Sequence, residues 1–115
     1  MPRSRRPVLL VVDDEPDIVA AAIAFFDDME VLCAFGGQAA LGLVESRPDI
    51  DVVLTDIRMP GMSGTEFAAR ARALRPELPV VLTSGYVEAP PGLTFIPKPW
   101  RRQGVRAVIC RILDL

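Results

Sequence analysis

The sequence predicts a single α/β domain with a doubly wound parallel sheet, and three observations carry that prediction. Short apolar runs rich in Val, Leu and Ile recur along the chain, and a run that is apolar at every residue suits a strand buried on both faces. Segments with apolar residues at helical spacing lie between most of these runs, so strands alternate with helices. The chain is 115 residues long and 50% apolar, about the size at which one domain builds one core.

The elements follow in order. The run "VLLVV" at residues 8–12 reads as the first strand and stops abruptly at Asp13-Asp14. Pro16 then stands where a first helical turn accepts proline, and the Ala-rich segment to Met29 places Ile18, Ala22, Ile23 and Phe26 at helical spacing. Residues 31–35 read as the second strand and residues 38–46 as a helix ended before Pro48. The third strand, residues 52–55, stops at Asp56. Ser63 and Glu66 form a capping-box pattern that opens a helix running to about Arg75, just before Pro76. Residues 80–83 read as the fourth strand, ending at Ser84-Gly85, and residues 93–96 as the fifth. A last helix spans residues 100–115, with Val105, Val108, Ile109 and Ile112 on one side.

One link is too short. Between Gly85 and Leu93 lie only residues 86–92, whereas a crossover with its helix takes at least about 10–12 residues. Two of the residues in this link are Pro90 and Pro91. The expectation is a fourth helix shortened or missing, replaced by an extended loop.

Composition excludes several classes of function. A net charge of -2 gives no drive toward nucleic acid, and the arginines near the start read as a flexible tail over residues 1–6 ahead of a domain at 7–115. No apolar stretch approaches a membrane span and no signal peptide is visible, so a soluble cytoplasmic protein is expected. Cys33 and Cys110 lack metal-like spacing and read as reduced core residues. The chain has no histidine, which removes the commonest general base and metal ligand.

The chemistry lies where the strands end. In open α/β sheets ligands gather outside the carboxyl ends of the strands, and here those ends carry Asp13-Asp14, Asp56, Thr83-Ser84 and Lys98. Converging carboxylates repel one another unless a cation intervenes, and hard oxygen donors without histidine or thiolate suit Mg²⁺. An ammonium and a hydroxyl beside a metal-bound carboxylate make a phosphoryl site. Each residue alone has an ordinary reading as a turn, a cap or a solvated charge; their recurrence at successive strand ends points to a site. Lys98 is the only lysine, flanked by Pro97 and Pro99, while the other basic residues are all arginine. A crowded phosphoryl pocket has room for a point charge where a planar guanidinium would not fit.

With these motifs in hand, the chain resembles the receiver domain of two-component response regulators over residues 7–115. The matching stretches are "VVDDEP", "VVLTDIRMPGMSG", "VVLTSGY" and "FIPKPW", in that order. The resemblance implies a flavodoxin-like sheet of order 2-1-3-4-5 and an aspartyl phosphate formed on Asp56. The phosphoryl group would come from a histidine kinase or a histidine phosphotransfer protein. Asp14 would bind Mg²⁺ directly, Asp13 mainly through a metal-bound water, and the Arg58 backbone carbonyl would complete the protein ligands. Ser84 takes the place of the switch hydroxyl and Phe95 that of the switch aromatic. Lys98 would pair with the phosphoryl group and Asp56, through a turn fixed by a cis Lys98–Pro99 bond. Arg58 and Tyr86 stand where the family tunes the lifetime of the acyl phosphate. Activity beyond signalling would be limited to self-phosphorylation and autodephosphorylation.

The departures bear on partners. The fourth helix belongs to the usual output and dimerisation face, so its loss puts the ordinary homodimer in doubt, and "TSGY" is similar to an atypical subgroup with a degraded fourth helix. Kinase docking would fall near residues 16–20. The output partner is not legible, and the chain is expected to be a stand-alone receiver or one cut from a larger protein such as a hybrid kinase. Two rival readings stand beside this one. A phosphatase of the haloacid dehalogenase type needs an acid two residues past its nucleophile, where this chain has Arg58. A scaffold that binds without phosphorylation is favoured by the short link and disfavoured by the complete set of chemical residues.

Overall fold

The computed structural model describes residues 5–85 and 92–115. Five strands, β1 (Val8–Val12), β2 (Glu30–Ala34), β3 (Val52–Asp56), β4 (Val80–Ser84) and β5 (Thr94–Pro97), form one sheet in the order β2-β1-β3-β4-β5. Every neighbouring pair is parallel. Among the described residues four helices accompany them: α1 (Pro16–Phe25), α2 (Gly37–Ser46), α3 (Gly64–Leu74) and α4 (Arg102–Ile112). The predicted strand order and doubly wound class are those observed.

The apolar runs are two-faced for a physical reason. Val8, Leu10 and Val12 of β1 point into a core closed by Ala40, Leu41 and Val44 of α2 and Phe67, Ala68 and Ala71 of α3. Leu9 and Val11 point the other way, into a core closed by Ala22 of α1, Phe26, and Val105 and Ile109 of α4. Both faces of each central strand are covered, so the strand bodies are apolar on both sides, and the buried polar residues Thr55, Asp56, Thr83 and Ser84 fall at their carboxyl ends. β5 lies at the sheet edge, and there Pro97 can end the strand without removing a ladder donor.

Several boundaries differ from those the sequence predicts. α1 ends at Phe25 rather than Met29, because Asp27 and Asp28 would place two negative charges at a helix C-terminus. Ile23 is half exposed; the inward face is Val19 and Ala22, continued by Phe26 beyond the last turn. β2 begins at Glu30, paired with Val8, and ends at Ala34, leaving Phe35 exposed beyond it. β5 is shifted by one residue to Thr94–Pro97. α4 starts at Arg102 and ends at Ile112, before Asp114 takes a left-handed conformation with φ 60°. Ser63 caps α3 as predicted, its Oγ accepting the Glu66 amide at 3.1 Å, but the Glu66 carboxylate pairs forward with Arg70 instead of back to the cap.

The two cysteines are free and half-buried rather than fully in the core, and burial raises the Cys33 thiol. Arg106 of α4 is half-buried. It donates to both Asp28 carboxylate oxygens and to the Phe25 carbonyl, and it lies over the Phe26 ring. The loop expected over residues 86–92 in place of a fourth crossover helix lies, but for Gly92, outside the described residues. No described helix is long and apolar enough to cross a membrane.

Candidate functional site

The sheet order reverses around β1, which has β2 on one side and β3 on the other, and the site forms at the carboxyl ends of these strands. β1 runs on into Asp13, whose amide donates to the Ala34 carbonyl at 3.1 Å. That bond extends the β1–β2 ladder by one residue and holds Asp13 in the interior, 1% exposed. Asp14 and Glu15 follow in the open, because the chain leaves the sheet there to enter α1. Asp56, the last residue of β3, is 5% exposed and pairs in register with Thr83 of β4.

Lys98 reaches this group from beyond β5. Its amide donates to the Ser84 carbonyl at 2.9 Å, and the Lys98–Pro99 bond is cis, as the resemblance implied. The ammonium donates to Asp13 Oδ2 at 2.8 Å and lies 3.5 Å from Asp56 Oδ1 and 3.6 Å from Glu15 Oε1. The other Asp13 oxygen accepts the Glu15 amide at 2.9 Å. Burial raises the proton affinity of Asp56, the Lys98 charge acts against that shift, and the Asp13 charge adds to it. For Lys98, burial disfavours the ammonium, yet the hydrogen bond to Asp13 and the charges of Asp13, Asp56 and Glu15 outweigh it, so its pKa is raised. The lysine is held charged among acids that repel one another.

Asp14, Glu15, Asp56, Arg58, Ser84, Gly85 and Lys98 line an open cleft of about 560 Å³. Carboxylate oxygens of Asp13, Asp14, Glu15 and Asp56 lie within 4.8 Å of one another. Dense, hard oxygen donors without thiolate or imidazole fit a divalent cation of the Mg²⁺ type. Of the residues expected from sequence, Asp13, Asp14, Asp56, Ser84, Arg58 and Lys98 are brought together. Phe95 is half-buried and packs against the core on the α2 and α3 face, apart from the cleft lining. Tyr86 lies outside the described residues.

Sequence reasoning missed Glu15, and it placed Thr83 at a strand end beside Ser84 without assigning it a role. Glu15 precedes Pro16 and reads as a helix-start residue; only the fold shows that it faces Lys98. Thr83 carries a bond that no spacing rule announces, since Trp100 Nε1 donates to its hydroxyl at 2.9 Å.

Comparison with known proteins gives a consistent result. The family pattern of the response regulator receiver domain matches residues 9–109. The sensor protein GacS of Pseudomonas syringae pv. syringae is 36% identical over 75% of this chain, which spans 10% of that protein. Curated relatives of this kind are longer, and the chain spans 10% to 32% of their lengths. Among solved structures, the receiver domain of the hybrid histidine kinase CckA superposes with a TM-score of 0.82 at 31% identity, covering 92% of this chain and 98% of that one. The response regulator protein TrrA of Thermotoga maritima, in complex with Mg²⁺-BeF, gives 0.85 at 26% identity, covering 92% and 98%.

Proposed function

The chain belongs to the response regulator receiver family of two-component systems, and from that premise we propose that it is a working phosphoacceptor whose acceptor is Asp56. A phosphohistidine on a histidine kinase or a histidine phosphotransfer protein would be the donor. A carboxylate oxygen of Asp56 forms a bond to phosphorus while the bond from phosphorus to the imidazole nitrogen breaks, and the imidazole departs with that electron pair. The observation that carries this reading is the Lys98 ammonium, held between Asp13 and Asp56 at a cleft open to solvent. A cation fixed beside a nucleophilic carboxylate stabilises charge on transferring phosphoryl oxygens without reorganising.

The other residues take roles that their surroundings suit. The Ser84 hydroxyl donates to a phosphoryl oxygen and draws the end of β4 inward, and Phe95 responds as the aromatic of the switch. Asp13, Asp14, Asp56 and the Arg58 carbonyl would hold Mg²⁺, with Glu15 nearby; bound there, Mg²⁺ supplies positive charge that offsets the carboxylates and the phosphoryl oxygens. Asp13 already accepts from Lys98 and from the Glu15 amide, which suits an indirect role for it and a direct one for Asp14. The complex of TrrA with Mg²⁺-BeF supports this cofactor. Catalysis would be limited to self-phosphorylation and autodephosphorylation, and the product acts by changing which partner the surface binds.

Beryllofluoride titration tests the reading. The account expects saturable, Mg²⁺-dependent shifts in the amide resonances of Ser84 and Lys98, absent in Asp56→Asn. Equal binding by wild type and Asp56→Asn would remove Asp56 from the role of acceptor.

A further inference from the structure

Trp100 is the only tryptophan in the chain and sits two residues past Lys98, just before α4. Its indole N–H donates to the Thr83 hydroxyl at 2.9 Å, and Thr83 is 1% exposed. A buried hydroxyl and an indole N–H both need partners, and on that account alone the bond is only local satisfaction. Thr83, however, has other attachments. Its carbonyl accepts the amide of Ile57, the residue after Asp56, at 3.0 Å. It also pairs in register with Asp56 itself. The next carbonyl along β4, that of Ser84, accepts the Lys98 amide at 2.9 Å. Thr83 therefore stands between the acceptor strand and the turn that carries the acceptor's cation.

We propose that Trp100 is a positioning residue for Lys98, its bond to Thr83 fixing the turn that aims the ammonium at Asp56. Beyond β5, whose pairing with β4 ends at Pro97, the backbone bond from Lys98 to Ser84 holds the turn at one end. The bond from Trp100 to Thr83 holds it two residues on. The direction matters because the ammonium is shared unequally, 2.8 Å from Asp13 and 3.5 Å from Asp56. A small rotation of the turn changes which carboxylate it serves, and displacements of this order alter rates strongly in positioned chemistry.

The inference rests on the phosphoacceptor reading, and its test separates the two. Adduct formation from acetyl phosphate with Mg²⁺ is timed in wild type, Thr83→Val, Trp100→Phe, the double variant and Thr83→Ser. Each of Thr83→Val and Trp100→Phe is expected to slow the reaction about tenfold, the size of one lost hydrogen bond expressed in the rate. The double variant is expected to be no slower than the slower single, and Thr83→Ser to recover the wild-type rate. Singles as fast as wild type overturn the proposal. So does a slowing that only tracks a lowered melting temperature and is not recovered by Thr83→Ser. A wild type that forms no adduct overturns the phosphoacceptor reading instead, and NMR then decides the present one, since the chain has one lysine and one tryptophan. A Lys98 ammonium signal that shifts in Thr83→Val and Trp100→Phe and returns in Thr83→Ser supports the strut, and an unmoved signal overturns it.

Discussion

At the scale of single residues, Lys98 explains most and is the most exposed to test. Its side chain is 10% exposed and surrounded by Asp13, Glu15 and Asp56, so there is room for one compact cation. Lys98→Arg keeps the charge but brings a planar fork, and the account expects phosphoryl uptake at least about tenfold slower with the fold retained. Uptake and switching equal to wild type would contradict this explanation. Arg58 lines the cleft two residues past Asp56, and Tyr86 follows Ser84 by two. If this bulky pair shields the phosphoryl group, Arg58→Ala and Tyr86→Ala speed dephosphorylation; unchanged decay rates sink the idea. The acidic, hydroxyl and amine members of the site were legible in the sequence because each sits at a strand end. Glu15 was not, because its helix-start position accounts for it fully until the fold brings Lys98 alongside.

At the scale of elements, strands and helices were legible wherever the apolar period was clean, and their ends were not. α1 shows why: Ile23 fits the helical spacing, yet Val19 and Ala22 face the core, and a spacing rule cannot choose between adjacent stripes. The start of α4 was equally hidden, since Trp100 is held to Thr83 and the helix begins only at Arg102. The loop from β3 into α3 makes a firmer prediction. The Gly64 amide donates to the Ile57 carbonyl at 2.8 Å, and a Cβ at Gly64 would run into the Asp56 carbonyl oxygen. Gly64→Ala must therefore displace the backbone that presents Asp56. The expected cost is about 1–3 kcal/mol by urea denaturation, together with slower phosphoryl uptake. An unchanged denaturation midpoint would mean that the loop yields without strain.

At the scale of the whole molecule, the two ends of the sheet divide the labour. The carboxyl ends hold the site, and the opposite ends are joined by charge pairs such as Arg47 with Asp49 and Glu30. The hydrogen bond from Arg47 is the main reason the Asp49 carboxyl titrates at about 2. Its folded pKa is depressed, so its contribution is present above the unfolded value near 4 and is lost as pH falls toward 2. Asp49→Asn is expected to lower the melting temperature slightly at neutral pH, with the gap to wild type closing between about pH 4 and pH 2. A gap independent of pH would assign the loss to something other than ionisation. Family and fold were legible at this scale because four motifs fall at four strand ends in one order. The output was not, since it depends on surfaces and partners rather than on the acceptor site. The most direct test of the central claim is intact-mass spectrometry after incubation with acetyl phosphate, with and without Mg²⁺, on wild type and Asp56→Asn. The account predicts one phosphoryl adduct that requires both Mg²⁺ and Asp56. An adduct that persists in Asp56→Asn, or none in wild type under any condition including a phosphohistidine donor, would contradict it and favour a scaffold that binds without phosphorylation.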